Sequence, residues 1–398
     1  MLNALCRARR SAVITGALLV ALLESAAAQG RERPWQVSSR LRGALEYDDN
    51  PFLLDTAHIR KLGQPTAADS ASGRFTDMEN VRDLVPIPSL EVELSGPGLL
   101  GRAVALGADA RYEANLRNLR RRNAALAFWL EQALSRADRV RLDFDLQPSY
   151  YFKNYLATVS ETDGDRLITS DERRYRAGVY REASLRLEYG HRFAKPKKHA
   201  PFGLSAGLIG GYVDRTYEAP FHGRDRKGPQ AGGSVAIDMG RRWTLGLDYT
   251  YTLLDADTSR DVEILDETLY GRDFNANGTT TDPNALALEL VDQSRRDHEF
   301  GASLEGDLTD AVSIKVKVGR RNRDFTSAQP FDAAHLGRRD HRNTLSARVN
   351  VRLAPALNLT LGGEIAKQTT NRIGDRASTG EEAAYTRHGA SVGLRYRL

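Results

Sequence analysis

Apolar and polar residues alternate one by one along most of the chain, and the alternation is clearest at its end. Ala390, Val392, Leu394, Tyr396 and Leu398 share one face of an extended segment; Arg387, Gly389, Ser391, Gly393, Arg395 and Arg397 share the other. The same two-face pattern returns at Val37–Tyr47, Leu84–Leu94, Arg102–Glu113, Ala124–Leu134, Val140–Phe152, a segment ending at Tyr189, Phe202–Asp214, Gly232–Met239, Trp243–Leu253, Asp297–Leu308, Val312–Arg323, Arg342–Leu353 and Leu357–Lys367. Hardly any helical periodicity intervenes. The pattern predicts an all-β protein of about fourteen strands. Twelve and sixteen are the alternatives, because Phe128-Trp-Leu puts large apolar groups on both faces of its segment, where a short helix competes, and because a long connection runs from Asp255 to Arg295.

The connections sort into two kinds that alternate, six short turns and seven longer polar loops, with the basic connection after Tyr189 the exception in length among the turns. An even set of strands with one apolar and one polar face, joined in this way, predicts a closed transmembrane antiparallel β-barrel with hydrocarbon outside and water within. Both termini and the short turns are then expected in the periplasm. Aromatic positions fit two interfacial belts: Trp35, Tyr189, Phe202, Trp243 and Tyr396 at the turn ends, and Tyr47, Tyr112, Tyr150, Phe152, Tyr212 and Tyr251 toward the loop ends. Two charges, Arg181 and Lys367, fall on the lipid-facing parity, both near the loop-end rim.

Residues 1–28 read as a secretory signal peptide: a basic start, an apolar run from Ala12 to Leu23, and a small-residue cleavage signal at Ala28. Residues 29–398 are expected to be one barrel domain in the cell outer membrane, among lipid and lipopolysaccharide. Cys6, the sole cysteine, lies in the leader, which excludes a disulfide scaffold and thiol chemistry in the remainder. A mean hydropathy of −0.48 with no second apolar run excludes a helical membrane protein but not a barrel. The net charge of +5 comes from arginines spread along strands without a nucleic-acid motif, so no nucleic-acid partner is expected.

The inward parity is lopsided. Arg40, Arg42, Lys315, Lys317, Arg321, Arg342, Arg348, Arg352, Arg387, Arg395 and Arg397 form a basic wall on strands that closure brings together, with Glu364 as its main exception. Asp143, Asp145, Asp248 and Glu305 are expected to face that wall across the lumen, giving a transverse field that draws anions toward the arginines. No catalytic residue, metal or cofactor is expected: the eight histidines show no ligand spacing. Asp273-x-Asn-x-Asn-Gly278 opens like a calcium loop but has Asn284 where the closing glutamate is needed, and both it and Asp48-Asp-Asn-Pro are explained by turn formation.

The stretch Tyr47-Asp-Asp-Asn-Pro-Phe-Leu53, closing the first strand behind a leader, resembles the opening of proteobacterial outer-membrane β-barrel porin families, some of whose members are linked to exopolysaccharide export. The two charged faces predict a channel for passive diffusion of small hydrophilic solutes, anionic or saccharide. The alternatives are the barrel of a polysaccharide or secretion machine, with a periplasmic partner docked at the basic turn 191–199, and a lipid-modifying enzyme. The connection 255–295 is expected to constrict or cover the mouth.

Overall fold

The computed structural model describes residues 35–65, 67, 75–98, 101–157, 174–194, 202–218, 221, 224–240, 242–256, 292–327, 335–371 and 384–398. The leader, most of the 255–295 connection with its Asp273–Gly278 stretch, and residues 195–201 of the basic turn therefore lie outside the described residues.

Fourteen strands form one closed antiparallel barrel: β1 (Gln36–Asp48), β2 (Asp83–Pro97), β3 (Ala103–Glu113), β4 (Asn123–Ala133), β5 (Asp138–Ala157), β6 (Arg174–Ala194), β7 (Phe202–Tyr217), β8 (Arg226–Met239), β9 (Trp243–Ala256), β10 (Arg295–Asp307), β11 (Val312–Phe325), β12 (Arg339–Ala354), β13 (Leu357–Thr370) and β14 (Tyr385–Arg397). Each pairs with its chain neighbours, and β14 pairs with β1 from Arg397 opposite Arg40 to Gly389 opposite Asp48. This is the fold read from the alternation, including a strand rather than a helix at 124–134.

The outer face carries the apolar parity, as a barrel in lipid requires. Leu208 is 68% exposed and Leu394 50%, and Leu41, Leu187, Phe300, Leu345 and Ile365 stand out beside them. Arg181 lies opposite Thr216, one residue from the end of β7, and Lys367 opposite Thr386, one residue into β14. Both are at the loop-end rim, where a charge costs about 0–1 kcal/mol instead of about 2–4 at mid-membrane. Arg320 joins them on the outward parity, opposite Phe300, and bonds Asn322 at 3.0 Å.

Local chemistry explains how the strands survive awkward residues. Pro86 and Pro88 sit in β2, but the Pro86 carbonyl accepts from Ala114 N on the β3 side, so both missing N–H groups point that way. The β2–β3 ladder begins only at Ser89, while β2 pairs with β1 from end to end. In the β4–β5 turn the Ser135 hydroxyl accepts from Ala137 N and Asp138 N, and Thr309 does the same for Ala311 N and Val312 N between β10 and β11.

Side-chain burial concentrates at the loop end. The β1–β2 connection carries a helix, α1 (Thr56–Gly63), capped by Asp55, and its Phe52 is fully buried with Leu54, Met78 and Tyr151. The Tyr47–Leu53 motif is a clasp across the β1–β14 seam. Asp48 pairs with Arg387 at 3.0 Å, Asp49 accepts from His388 N at 2.6 Å, and Asn50 donates to the carbonyls of Leu54 and Thr386. Asp83 and Asn118, both buried, lock the β3–β4 loop to the same connection, with Asp83 accepting from the backbone of Leu116, Arg117 and Asn118.

Candidate functional site

Parity brings the basic wall into the lumen as a ladder of like charges set opposite one another: Lys315 across from Arg348, Arg321 from Arg342, Arg42 from Arg395 and Arg40 from Arg397. Such pairs repel, so their tolerance depends on acids or water nearby. Glu91 of β2 accepts from both Arg40 and Arg42. Arg387 gathers Glu46 at 3.1 Å, Asp48 at 3.0 Å and Glu364 at 3.6 Å, and Glu364 lies 3.9 Å from Arg342. Among the described residues Arg348, Arg352, Arg395 and Arg397 have no ion pair.

The acids expected opposite this wall divide. Asp143 and Asp145 on β5 do stand across the barrel from β12, where Asp143 pairs with Arg141 at 2.7 Å and Asp145 accepts from Ser184 at 3.3 Å. Asp248 and Glu305 do not face the wall; they belong to it. Glu305 is the direct cross-strand partner of Lys315, at 2.8 Å, and Asp248 lies 3.7 Å from Lys317. Strand order around the barrel sets β9 and β10 beside β11 and not across from it, so inward parity alone was not enough to make Asp248 and Glu305 an opposing wall. Two of the four acids expected across the lumen are therefore neighbours of the basic wall.

The loop end holds a cavity of about 390 Å³ reaching residues from β5 through β12 and β14. Ten arginines line it against three acids, Glu182, Asp297 and Glu299. Three of the ten belong to the expected wall: Arg321, Arg342 and Arg387. The remainder, among them Arg121, Arg224, Arg226 and Arg338, come from strand ends and loops that the expected wall left out. A signal for them existed in the pairs Arg224-x-Arg226 and Arg321-x-Arg323 and in Arg295 and Arg338, each two residues before an aspartate, all at the loop ends of strands.

Arginines pack so densely here because aromatic faces and acids take up their charge. The Arg215 guanidinium lies 4.3 Å from the Tyr180 ring centroid and also pairs with Glu182. Arg338 lies 4.8 Å from Phe325 and 2.8 Å from Asp340. Asp297 sits between Arg295 at 3.0 Å and Arg323 at 3.4 Å. Stacking leaves the in-plane N–H donors of arginine able to reach a ligand, so the cavity presents both forks for oxyanions and flat apolar faces for a sugar or aromatic ring.

One expectation is corrected by this cavity. Tyr150 and Phe152, assigned to the outer aromatic belt, line it instead, because β5 shifts register against β6 between Gln147 and Tyr150 and again between Tyr151 and Lys153. Each bulge adds a residue and turns the following side chains over. Among the described residues the β1–β2 connection reaches the mouth through Pro51 and Leu53, and Gln293 and Arg295 line it as well; residues 257–291, on which the expectation of a covering 255–295 connection falls, lie outside the described residues.

The rim at the turn end carries the nearest thing to a hydrolytic grouping. Asp138 accepts from Ser135, from Tyr189 at 2.6 Å and contacts His191 Nδ1 at 2.7 Å. The carboxylate is central, so serine and histidine each meet it and not each other, whereas a nucleophile needs its base in contact. His341 is engaged with Asn322 and His388 with Asp49. Among the described residues no three side chains are grouped to hold a metal ion.

No protein-family model and no curated protein matches the chain. Among solved structures it is similar to the outer membrane channel DcaP of Acinetobacter baumannii, with a TM-score of 0.43 and 8% identity over 92% of this chain and 97% of that one. It is also similar to OmpT of Vibrio cholerae, at a TM-score of 0.42 and 9% identity over 93% and 99%. An anion-selective porin from Comamonas acidovorans gives a TM-score of 0.36 and 8% identity over 92% and 100%.

Proposed function

We infer that the chain is an outer-membrane channel for passive diffusion of small hydrophilic anions, acidic saccharides included, with the loop-end cavity as its selective constriction. The observation that carries this reading is the lining of that cavity, ten arginines to three acids inside a closed barrel. A water-filled constriction with fixed positive charge raises the local concentration of anions and repels cations. Aromatic faces beside the guanidiniums suit solutes that combine a carboxylate or phosphate with a flat ring.

In the orientation that goes with this reading, both termini and the short turns face the periplasm, and the loop end faces outward to receive solute. Lipid and lipopolysaccharide hydrocarbon surround the apolar belt. Selectivity is tested in planar bilayers under a salt gradient. Purified protein should give discrete conductance with a reversal potential on the anion side, and replacing Arg321 and Arg342 by glutamine should move that potential toward zero. Absence of conductance, or cation preference, would overturn the reading.

A further inference from the structure

The turn end of the lumen carries a second basic cluster, separate from the loop-end cavity. Arg40, Arg352, Arg395 and Arg397, with Asn358 and Pro355, line a hollow of about 450 Å³. Four adjacent strands deliver these side chains. Arg352 of β12 is opposite Asn358 of β13, Asn358 is opposite Arg395 of β14, and Arg397 is opposite Arg40 of β1. Parity turns the guanidiniums inward, because their chain neighbours Leu353, Tyr396 and Leu41 are exposed on the outer face.

Charge compensation sets this cluster apart. At the loop end an acid is interleaved with the arginines: Asp297 between Arg295 and Arg323, Asp340 beside Arg338, Glu364 near Arg342 and Arg387. At the turn end Glu91 pairs with Arg40, but Arg352, Arg395 and Arg397 have no carboxylate within ion-pair distance among the described residues. Arg42 and Arg40 lie near Arg395 across the β1–β14 pair, and the nearby Glu91 is already engaged by both. Like charges facing each other across a strand pair are destabilising, so this arrangement invites an external counter-charge. Three guanidinium forks around one hollow, with a neutral donor in Asn358, match the several oxygens of a compact oxyanion.

We propose that the turn-end hollow is a binding station for a small oxyanion carrying two or more negative charges, of the phosphate class, held by Arg352, Arg395 and Arg397. The station rests on the reading of the lumen as a water-filled path. It makes passage a two-station process: loop-end cavity, turn-end hollow, with Lys315 and Arg348 between them on facing positions of β11 and β12. Several moderate sites let an ion enter without trapping it.

The test is calorimetric titration of the purified barrel in detergent with pyrophosphate at low salt. Wild type is compared with an Arg395→Gln/Arg397→Gln variant, with Arg352→Gln, and with an Arg321→Gln/Arg342→Gln variant at the loop end. Folding of each is checked by heat-modifiable migration. Saturable binding in wild type, weakened roughly tenfold or more in the turn-end double variant and kept within about threefold in the loop-end variant, supports the station. No saturable binding in wild type, or a loss that follows the loop-end variant instead, overturns it. A barrel that conducts anions yet binds no pyrophosphate sinks the station and leaves the channel; one that binds at the turn end without conducting sinks the channel and leaves the station.

Discussion

The Trp129 indole occupies the space beside Gly107 on the neighbouring strand, so closely that a Cβ at Gly107 would fall inside the ring's contact distance. The pair is directly opposite in the β3–β4 ladder, on the lumen face, with Arg141 5.8 Å above the ring. This settles the ambiguity of Phe128-Trp-Leu: Phe128 and Leu130 face lipid, and Trp129 needs the missing side chain of Gly107 to fit inside. The other two tryptophans repeat the relationship, Trp35 over Gly96 and Trp243 over Gly306. Gly107→Val should therefore destabilise the barrel by about 1–3 kcal/mol, the usual range for overpacking. Gly43→Ala, where nothing lies within 4 Å, should be close to neutral. Urea unfolding in lipid vesicles, followed by tryptophan emission, measures both.

The clasp of β1 onto β14 makes a second prediction. Asn50 is 2% exposed and satisfies three backbone groups, accepting from Leu54 N and donating to the Leu54 and Thr386 carbonyls. Asn50→Ala leaves those groups unpaired, which costs about 1–3 kcal/mol. The loss should show as a lowered unfolding midpoint and faster amide exchange at Leu54 and along the seam; unchanged exchange there would deny the clasp its role.

Glu305 and Lys315 are half-exposed to the lumen, so their pairing contributes little to stability, about 0–1 kcal/mol. Glu305→Gln should leave the melting temperature within a few degrees of wild type. It should shift the reversal potential further to the anion side, because it removes the acid paired with Lys315. A shift toward cations would contradict the pairing.

Asp55 links pH to the β1–β2 connection. Burial raises the pKa of its carboxyl, but hydrogen bonds from the His58 side chain and the His58 and Ala57 backbone outweigh that and leave it below the ordinary 3.8. A lowered folded value means that the cap's contribution is present above the ordinary carboxylate pKa and is lost as pH falls through the depressed one. Amide exchange at His58 should consequently rise only in strongly acid solution in wild type, and already at neutral pH in Asp55→Ala.

Much of the lumen was legible residue by residue. Arg348, Arg352, Arg395 and Arg397 were assigned inward from parity alone and are inward. Trp129 was not, because periodicity cannot distinguish a large apolar side chain that faces water from one that faces lipid when the glycine beneath it sits on another strand. Tyr150 and Phe152 were misassigned because a bulge leaves no mark in composition. Arg121, Arg224, Arg226, Arg295 and Arg338 of the loop-end cavity escaped because they sit where strands merge into loops, beyond the alternating segments.

The chain by itself determined the two faces, the closure of the sheet and a strand count near fourteen, since a period of two is a local property and closure follows from giving each face one medium; the tertiary structure decided the count. Which charges neutralise each other, where the arginines crowd and which are left without an acid were decided only by register between strands and by the docking of the β1–β2 connection. Those depend on contacts between residues far apart in sequence, which no local pattern encodes.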